Sequence, residues 1–219
     1  MAYILCIETT TTNCSVSISK DGKTIALQEE NRENYSHSEN LHGFISKALE
    51  QAKVSKSQLN AVAVSRGPGS YTGLRIGVSA AKGLCFALDI PLVSIDTLQA
   101  FAYEVTDETD YIIPMLDARR MEVYACVFDG NKNKLEKIKA VILDENSFAE
   151  YLEKGKVIFL GNANEKFKPV CNHPNAGFLD AKLPSANDMA SLADYKYKKS
   201  DFEDVAYFEP YYLKDFIGG

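Results

Sequence analysis

Few residues of this chain have the types and spacing that catalysis or ligand binding would need. Thr9, Thr10 and Thr11 form a run of hydroxyls that could bind a phosphate weakly, as in kinase-like proteins. Threonine is also favoured at the edges of sheets, and the run contains no glycine, so a purely structural role is the more common one. Ser70 has no histidine with a plausible aspartate near it to activate its hydroxyl as a nucleophile. The sequence therefore predicts no catalytic residue and at most weak nucleotide binding at the threonines.

The histidines do not have the spacing of a metal site. His37 and His42 are five residues apart, which places them on different sides of a helix, whereas a zinc pair is usually four apart. We therefore expect no bound metal and no other cofactor. The densest polar cluster of the second half is Asp117, Arg119 and Glu122, where carboxylates beside an arginine more often pair with it than catalyse.

Residues 60–88 predict a strand, a tight loop and a helix in succession. The apolar run of residues 61–64 indicates a buried strand, and the Gly67-Pro68-Gly69 turn that follows suits the freedom of glycine and the fixed φ of proline. The glycines at 67, 69 and 73 are one residue too widely spaced for the dinucleotide fingerprint, and no P-loop lysine follows them. Neither type of nucleotide site is indicated.

The helix predicted at residues 73–88 is apolar around most of its circumference. Its only strongly polar residues are Arg75, Ser79 and Lys82, on one narrow stripe. Such a helix must be covered on more than one side, so it is either central to a monomeric core or in contact with a second protein. Small residues recur every three to four positions, which would let another helix approach, and residues 38–52 predict a neighbouring helix with one apolar face. The predicted partner interface consists of Leu41, Phe44, Ile45, Gly73, Leu74, Gly77, Ala80, Ala81 and Leu84.

Composition limits the classes of function. The chain has 219 residues, of which 46% are hydrophobic, enough for a globular core. Its net charge of -6 argues against this chain binding nucleic acid alone, so any RNA would be held through a partner. The five cysteines are scattered and never form C-x-x-C, and the apolar runs are too short for a membrane span. We expect a cytoplasmic protein that does not bind membranes.

The order of predicted elements repeats within the chain. Residues 1–106 and residues 107–219 each indicate three strands, a helix, a strand and a helix, with a polar hinge at residues 107–110. Ser36 and Glu39 indicate a capping box at the start of the first helix. This duplication predicts an α/β protein of two ribonuclease-H-like lobes, an N-terminal lobe that carries the interface helices and a C-terminal lobe with a tail.

Several motifs resemble those of one family. Residues 67–77, GPGSYTGLRIG, are similar to the GPGSFTGLRIG signature of the TsaB (YeaZ) family, with Tyr71 in place of the commoner Phe. Residues 7–11 resemble its IDTST opening, residues 117–124 its D-x-R-x-x-E-V-Y element and residues 210–214 its P-x-Y-L-R tail. Glu8 replaces the usual Asp and Lys214 the usual Arg, and the first change weakens any inherited metal-phosphate role.

The resemblance implies an actin-like (ASKHA) fold and a non-catalytic part in making threonylcarbamoyladenosine beside the anticodon of tRNA. Such a dimerisation subunit would bind the catalytic subunit TsaD, together with the ATPase TsaE, and would pair with itself when alone. It would meet tRNA only through the complex. The family is related to the glycoprotease-like TsaD proteins, but their H-x-x-x-H metal motif is absent from this sequence.

Two other functions remain open from the sequence. One is a small-molecule kinase of the actin-like superfamily, which turnover of ATP with a sugar or acyl acceptor would reveal. The other, less favoured, is a peptidase, suggested only by the old label of the TsaD relatives. The placement of the three histidines provides neither a zinc ligand set nor a Ser-His-Asp set.

Overall fold

The computed structural model describes residues 1–31, 37–179 and 182–213. It divides into a first unit, Met1–Thr97 with the chain from Pro184 on, and a second unit, Leu98–Leu183. This division differs from the predicted boundary at residue 106, because the chain after Pro184 returns to the first sheet. There Ser15 Oγ accepts a hydrogen bond of 3.0 Å from the Ala186 amide, and Ser17 Oγ donates one of 2.9 Å to the Ala186 carbonyl.

The first unit is built on a five-stranded sheet whose order is β3-β2-β1-β4-β5. The first three strands form an antiparallel meander, and β4 and β5 run parallel to β1. A helix after β3 and another after β4 make the two crossovers. The elements are β1 (Tyr3–Glu8), β2 (Asn13–Lys20), β3 (Lys23–Asn31), α1 (His37–Ala52), β4 (Ala61–Gly67), α2 (Tyr71–Leu88) and β5 (Leu92–Asp96).

The second unit repeats this arrangement in a sheet of order β11-β10-β6-β7-β9, with β8 paired to β6. As in the first unit, the strand that opens the unit has antiparallel neighbours on one side and parallel neighbours on the other. Its elements are α3 (Thr97–Ala102), β6 (Tyr111–Asp117), β7 (Glu122–Ala125), β8 (Phe128–Asp129), β9 (Lys139–Ile142), α4 (Ala149–Leu152), β10 (Val157–Leu160), α5 (Asn164–Phe167) and β11 (Ala176–Phe178). The predicted duplication of a ribonuclease-H-like unit is confirmed.

The chain from Pro184 on adds a 3-10 turn (Ala186–Met189) and helix α6 (Ala190–Lys198) to the first unit. Within the described ranges, no helix is both long enough and apolar enough to cross a bilayer. Three positions used in the sequence predictions, Ser36 of the capping box, Asp180 of a strand and Lys214 of the tail, lie outside the described residues.

Candidate functional site

The threonine run forms the loop between β1 and β2, and its hydroxyls are engaged within the chain. Thr9, Thr10 and Thr11 are only 1%, 2% and 7% exposed. Thr9 Oγ1 donates to the Gly73 carbonyl at 2.8 Å, and Thr10 Oγ1 donates to the Glu8 carboxyl at 2.5 Å. Thr11 Oγ1 accepts from the Asn13 amide at 3.3 Å. A phosphate at this loop would have to displace these internal bonds.

The glycine-rich turn and the start of α2 close over the threonine loop. The Ser70 amide donates to the Thr10 carbonyl at 2.7 Å, and the Ser70 hydroxyl caps the helix by accepting from the Gly73 amide at 3.2 Å. A Cβ at Gly69 would lie 2.5 Å from Thr10 Cβ, and one at Gly73 would lie 2.0 Å from the Thr9 carbonyl oxygen. A Cβ at Gly77 would lie 2.3 Å from Thr9 Oγ1. The glycines therefore allow α2 to pack directly on this loop.

Glu8 is a buried acid beneath that loop. It is 0% exposed, and its carboxyl accepts from the Thr10 amide at 2.6 Å and contacts the Ser65 hydroxyl. Burial raises the pKa of the Glu8 carboxyl, and the hydrogen bonds from Ser65 and Thr10 only partly oppose that effect. A protonated carboxyl fits this setting, because it can donate to Ser65, whose hydroxyl can then donate to Met189 Sδ at 3.6 Å.

That environment is unsuited to a metal-bound phosphate, which favours an ionised carboxylate accessible to solvent. Among the residues that the structure describes, no group of three or more His, Cys, Asp or Glu side chains could hold a metal ion. His37 is buried, with Nε2 2.7 Å from the Thr11 carbonyl oxygen. The geometry of the β1–β2 loop is that of a packed junction between strands and helix.

The structure places most of the predicted interface residues inside the first unit. The buried ones are Leu41, Ile45, Gly73, Leu74, Gly77 and Ala81. Gly73 and Gly77 are small because Thr9 packs on them, which corrects their assignment to a contact with a partner helix. Phe44, Ala80 and Leu84 are half-buried at the edge of the core. The existence of a partner interface stays a prediction, and among its predicted residues these last three are the partly exposed ones.

Two of these partly exposed residues, Ala80 and Leu84, line a groove of about 560 Å³ between α1 and α2. Its floor on α2 has the small residues Ser79, Ala80 and Gly83, and a Cβ at Gly83 would have no atom within 4 Å. Phe86, one turn further along α2, is 86% exposed. The residues around the groove are His37, Ser38, Leu41, His42, Arg75, Ile76, Ser79, Ala80, Gly83 and Leu84.

The C-terminal segment covers another side of α2. Lys82 Nζ donates to the carbonyls of Ala206 and Phe208 at 3.1 and 3.0 Å, and Arg75 Nε donates to the Tyr212 hydroxyl at 3.3 Å. The Tyr212 ring lies 4.7 Å from that of Tyr71, measured between centroids. The polar stripe of α2 therefore holds the chain's own tail, and the sheet, α1 and the tail together explain much of the helix's apolar circumference.

In the second unit, the polar cluster predicted from the sequence is centred on Lys166 and not on Arg119. Lys166 Nζ forms an ion pair of 2.8 Å with Asp117 and donates to the carbonyls of Arg120 and Glu122 at 2.7 and 2.6 Å. Arg119 contributes backbone groups: its amide donates to Asp117 Oδ1 at 2.7 Å, and its carbonyl accepts from the Glu122 amide at 3.1 Å. No local pattern in the sequence points to Lys166, because it is 49 residues from Asp117.

Comparison with known proteins identifies what this chain resembles. A family model described as TsaD, tRNA N6-adenosine threonylcarbamoyltransferase, matches residues 31–214. The tRNA threonylcarbamoyladenosine biosynthesis protein TsaB of Bacillus subtilis (strain 168) is 32% identical over 177 residues, covering 76% of this chain and 74% of that protein. The protein of the same name from Escherichia coli (strain K12) is 27% identical over 97% of this chain and 94% of its own length.

Solved structures with a similar fold agree with these sequence comparisons. YeaZ from Pseudomonas aeruginosa superposes with a TM-score of 0.86 at 25% identity, covering 97% of this chain and all of that one. An activator of 2-hydroxyisocaproyl-CoA dehydratase from Clostridium difficile, solved with bound ADPNP, has a TM-score of 0.50 at 12% identity over 91% of this chain. The second likeness concerns the fold alone, and it agrees with the predicted actin-like ATPase architecture.

Proposed function

This chain belongs to the TsaB (YeaZ) family, and we propose that it is a non-catalytic subunit in the biosynthesis of threonylcarbamoyladenosine in tRNA. In this role it binds and supports the catalytic subunit TsaD, and it pairs with a second copy when TsaD is absent. The ATPase TsaE joins the same assembly, and tRNA is contacted only within it. The tRNA modification that this chain supports takes place in the cytoplasm.

The observation that carries the proposal is the groove between α1 and α2. Its floor of Ser79, Ala80 and Gly83 would let the backbone of another helix approach closely, and its sides include the apolar Ile76 and Leu84. Phe86, one turn beyond Gly83 on the same helix, adds a large exposed apolar side chain. A groove between two helices with a small-residue floor suits an amphipathic helix from a partner.

The interior of the first unit supports the non-catalytic part of the proposal. The hydroxyls of Thr9 and Thr10 are engaged by Gly73 and Glu8, and Glu8 is buried where burial favours its neutral form. Nothing at this loop offers a phosphate the free donors and the ionised carboxylate that a kinase would need.

The interface is tested most cleanly at Gly83, because this residue faces open space, whereas a side chain at Gly77 would strike Thr9. Gly83→Arg would fill the floor of the groove, and overpacking of a close contact costs roughly 1–3 kcal/mol, which weakens association about 5- to 150-fold. Ser191→Arg, at an exposed position of α6, is the matched control.

Both variants and the wild type would be examined by sedimentation, alone and mixed with TsaD, with circular dichroism to confirm folding. We expect the Ser191 variant to associate like the wild type and the Gly83 variant to dissociate. A folded Gly83→Arg protein that binds as tightly as the control would place the interface elsewhere.

The non-catalytic role is tested by calorimetry of the isolated chain with ATP and magnesium. We expect little or no heat of binding and no turnover of ATP. Binding in the low micromolar range, or turnover with a sugar or acyl acceptor, would instead favour the small-molecule kinase.

A further inference from the structure

The turn between β6 and β7 presents two arginines in an unfavourable backbone conformation. Arg119 and Arg120 have φ values of 73° and 50°, in the left-handed region that side chains other than glycine, asparagine and aspartate rarely adopt. Two such residues in succession make the turn strained, and both side chains are exposed. Neither side chain forms an ion pair within the part of the chain that the structure describes.

The neighbouring side chains hold the turn in that conformation. Lys166, whose side chain is only 18% exposed, donates to the carbonyls of Arg120 and Glu122 and pairs with Asp117. Asp117 in turn accepts from the Arg119 amide, and its own amide donates to Asn162 Oδ1 at 2.9 Å. Lys166 therefore pairs with Asp117, a carboxylate close in the chain to both arginines.

The consequence is a turn of defined backbone conformation that carries two exposed arginines in succession. A guanidinium matches the geometry of a phosphate by two parallel hydrogen bonds, and a rigid turn reduces the entropy lost on binding. The chain as a whole is anionic, with a net charge of -6, so a local cationic turn would bind a polyanion only weakly by itself. Such a turn is suited to adding contacts to a nucleic acid that other subunits already hold.

We propose that Arg119 and Arg120 bind backbone phosphates of tRNA when this chain is part of the modification complex. The proposal rests on the proposed function, which supplies the tRNA and the partner subunits. Phosphate contacts of this kind position the nucleic acid without reading its sequence. In this role Arg119 and Arg120 orient the tRNA through its backbone and do not react with it.

The test compares three variants in the assembled complex of this chain, TsaD and TsaE. Arg119→Asn with Arg120→Asn removes both charges but keeps residues that tolerate the left-handed conformation. Arg119→Lys with Arg120→Lys keeps both charges. Lys53→Asn is the matched control, because Lys53 is also an exposed cation with a positive φ, of 55°, but lies in the first unit.

Two quantities are measured for each complex, the association of this chain with TsaD and the affinity for tRNA as a function of salt. For the asparagine pair we expect unchanged association, about tenfold weaker tRNA binding, and a salt dependence whose slope falls by about 1–2, since each phosphate contact contributes about 0.7–0.9. The lysine pair should recover most of the affinity, and Lys53→Asn should match the wild type.

Two results would overturn the proposal while leaving the proposed function intact. Unchanged tRNA affinity and salt slope in the asparagine pair would mean that the arginines are merely solvated. Loss of TsaD binding in that pair would mean that they contact an acidic protein surface. Failure of the wild-type chain itself to join TsaD would be a different outcome, which removes the proposed function and this inference with it.

Discussion

Replacing Gly73 by alanine should destabilise the first unit, whereas the same replacement at Gly83 should stabilise it. Both glycines lie in α2, so they have the same secondary structure and differ in their surroundings. A Cβ at Gly73 would lie 2.0 Å from the Thr9 carbonyl oxygen, and one at Gly83 would have no atom within 4 Å. The pair therefore separates the cost of close packing from the helix propensity of glycine.

The expected magnitude for Gly73→Ala follows from the contacts that must give way. Ordinary contact begins at 3.4 Å, so the Thr9 carbonyl would have to recede by 1.4 Å, the difference between 3.4 and 2.0 Å. Overpacking of this kind costs about 1–3 kcal/mol, and the hydrogen bonds from Thr9 Oγ1 to Gly73 and from the Ser70 amide to Thr10 contribute about 1 kcal/mol each. The higher helix propensity of alanine opposes this loss by about 1 kcal/mol. The net loss is therefore about 2–4 kcal/mol.

At Gly83 only the propensity changes, and we expect a gain of about 0.5–1 kcal/mol. Urea denaturation of both variants and the wild type, followed by circular dichroism with the m-value checked, would give the free energies of unfolding. If Gly73→Ala proved as stable as Gly83→Ala, the result would contradict the inference that α2 packs closely on the threonine loop.

Two further predictions concern Glu8 and Lys166. Because burial raises the pKa of Glu8 above 4.5, its protonated form favours the folded state, and that stability is lost as pH rises from 4.5 through the folded pKa. Glu8→Gln should lack this loss, so urea midpoints measured from about pH 4.5 to about pH 8.5 should fall more steeply for the wild type than for the variant. Parallel profiles would contradict the raised pKa of Glu8. Lys166→Met keeps the aliphatic stem but leaves Asp117 and two carbonyls without their donor, so it should destabilise the second unit by about 1–3 kcal/mol. Arg119→Asn should change stability much less in the same urea experiment, and equal losses for the two variants would refute the central role of Lys166.

The duplicated fold was predictable from sequence because its signals are local. Apolar runs such as residues 61–64 and the alternating residues 14–19 identify strands wherever they occur, and their order in the two halves gives the topology. The bounds of helices were harder to predict, because side chains near a helix end can form hydrogen bonds to the backbone that compete with the helix. Helix α4 of the second unit begins only at Ala149, because Asp144 and Ser147 form their own turn, with hydrogen bonds of 2.9 to 3.0 Å between side chains and backbone.

The polar contacts could not be predicted in the same way, because their partners are distant in sequence. Lys166 meets Asp117 only after β6, β10 and α5 have come together. The tail returns to α2 through Lys82 and Arg75, which the sequence presented as a stripe facing solvent. A periodic pattern shows which residues share a face of a helix, but it contains no information about what covers that face.

The small residues of α2 show why the site was only partly predictable. Gly73 and Gly77 face the threonine loop, while Ala80 and Gly83 line the groove beside α1. All four contribute to one spacing of three to four residues, so the sequence merges an inner and an outer row into a single pattern. The inner row packs α2 against the loop in which a kinase would bind phosphate, and the outer row leaves the opposite side open. One helix can therefore pack against the threonine loop and offer a surface to a partner, and the two roles can be separated by mutating Gly73 and Gly83 in turn.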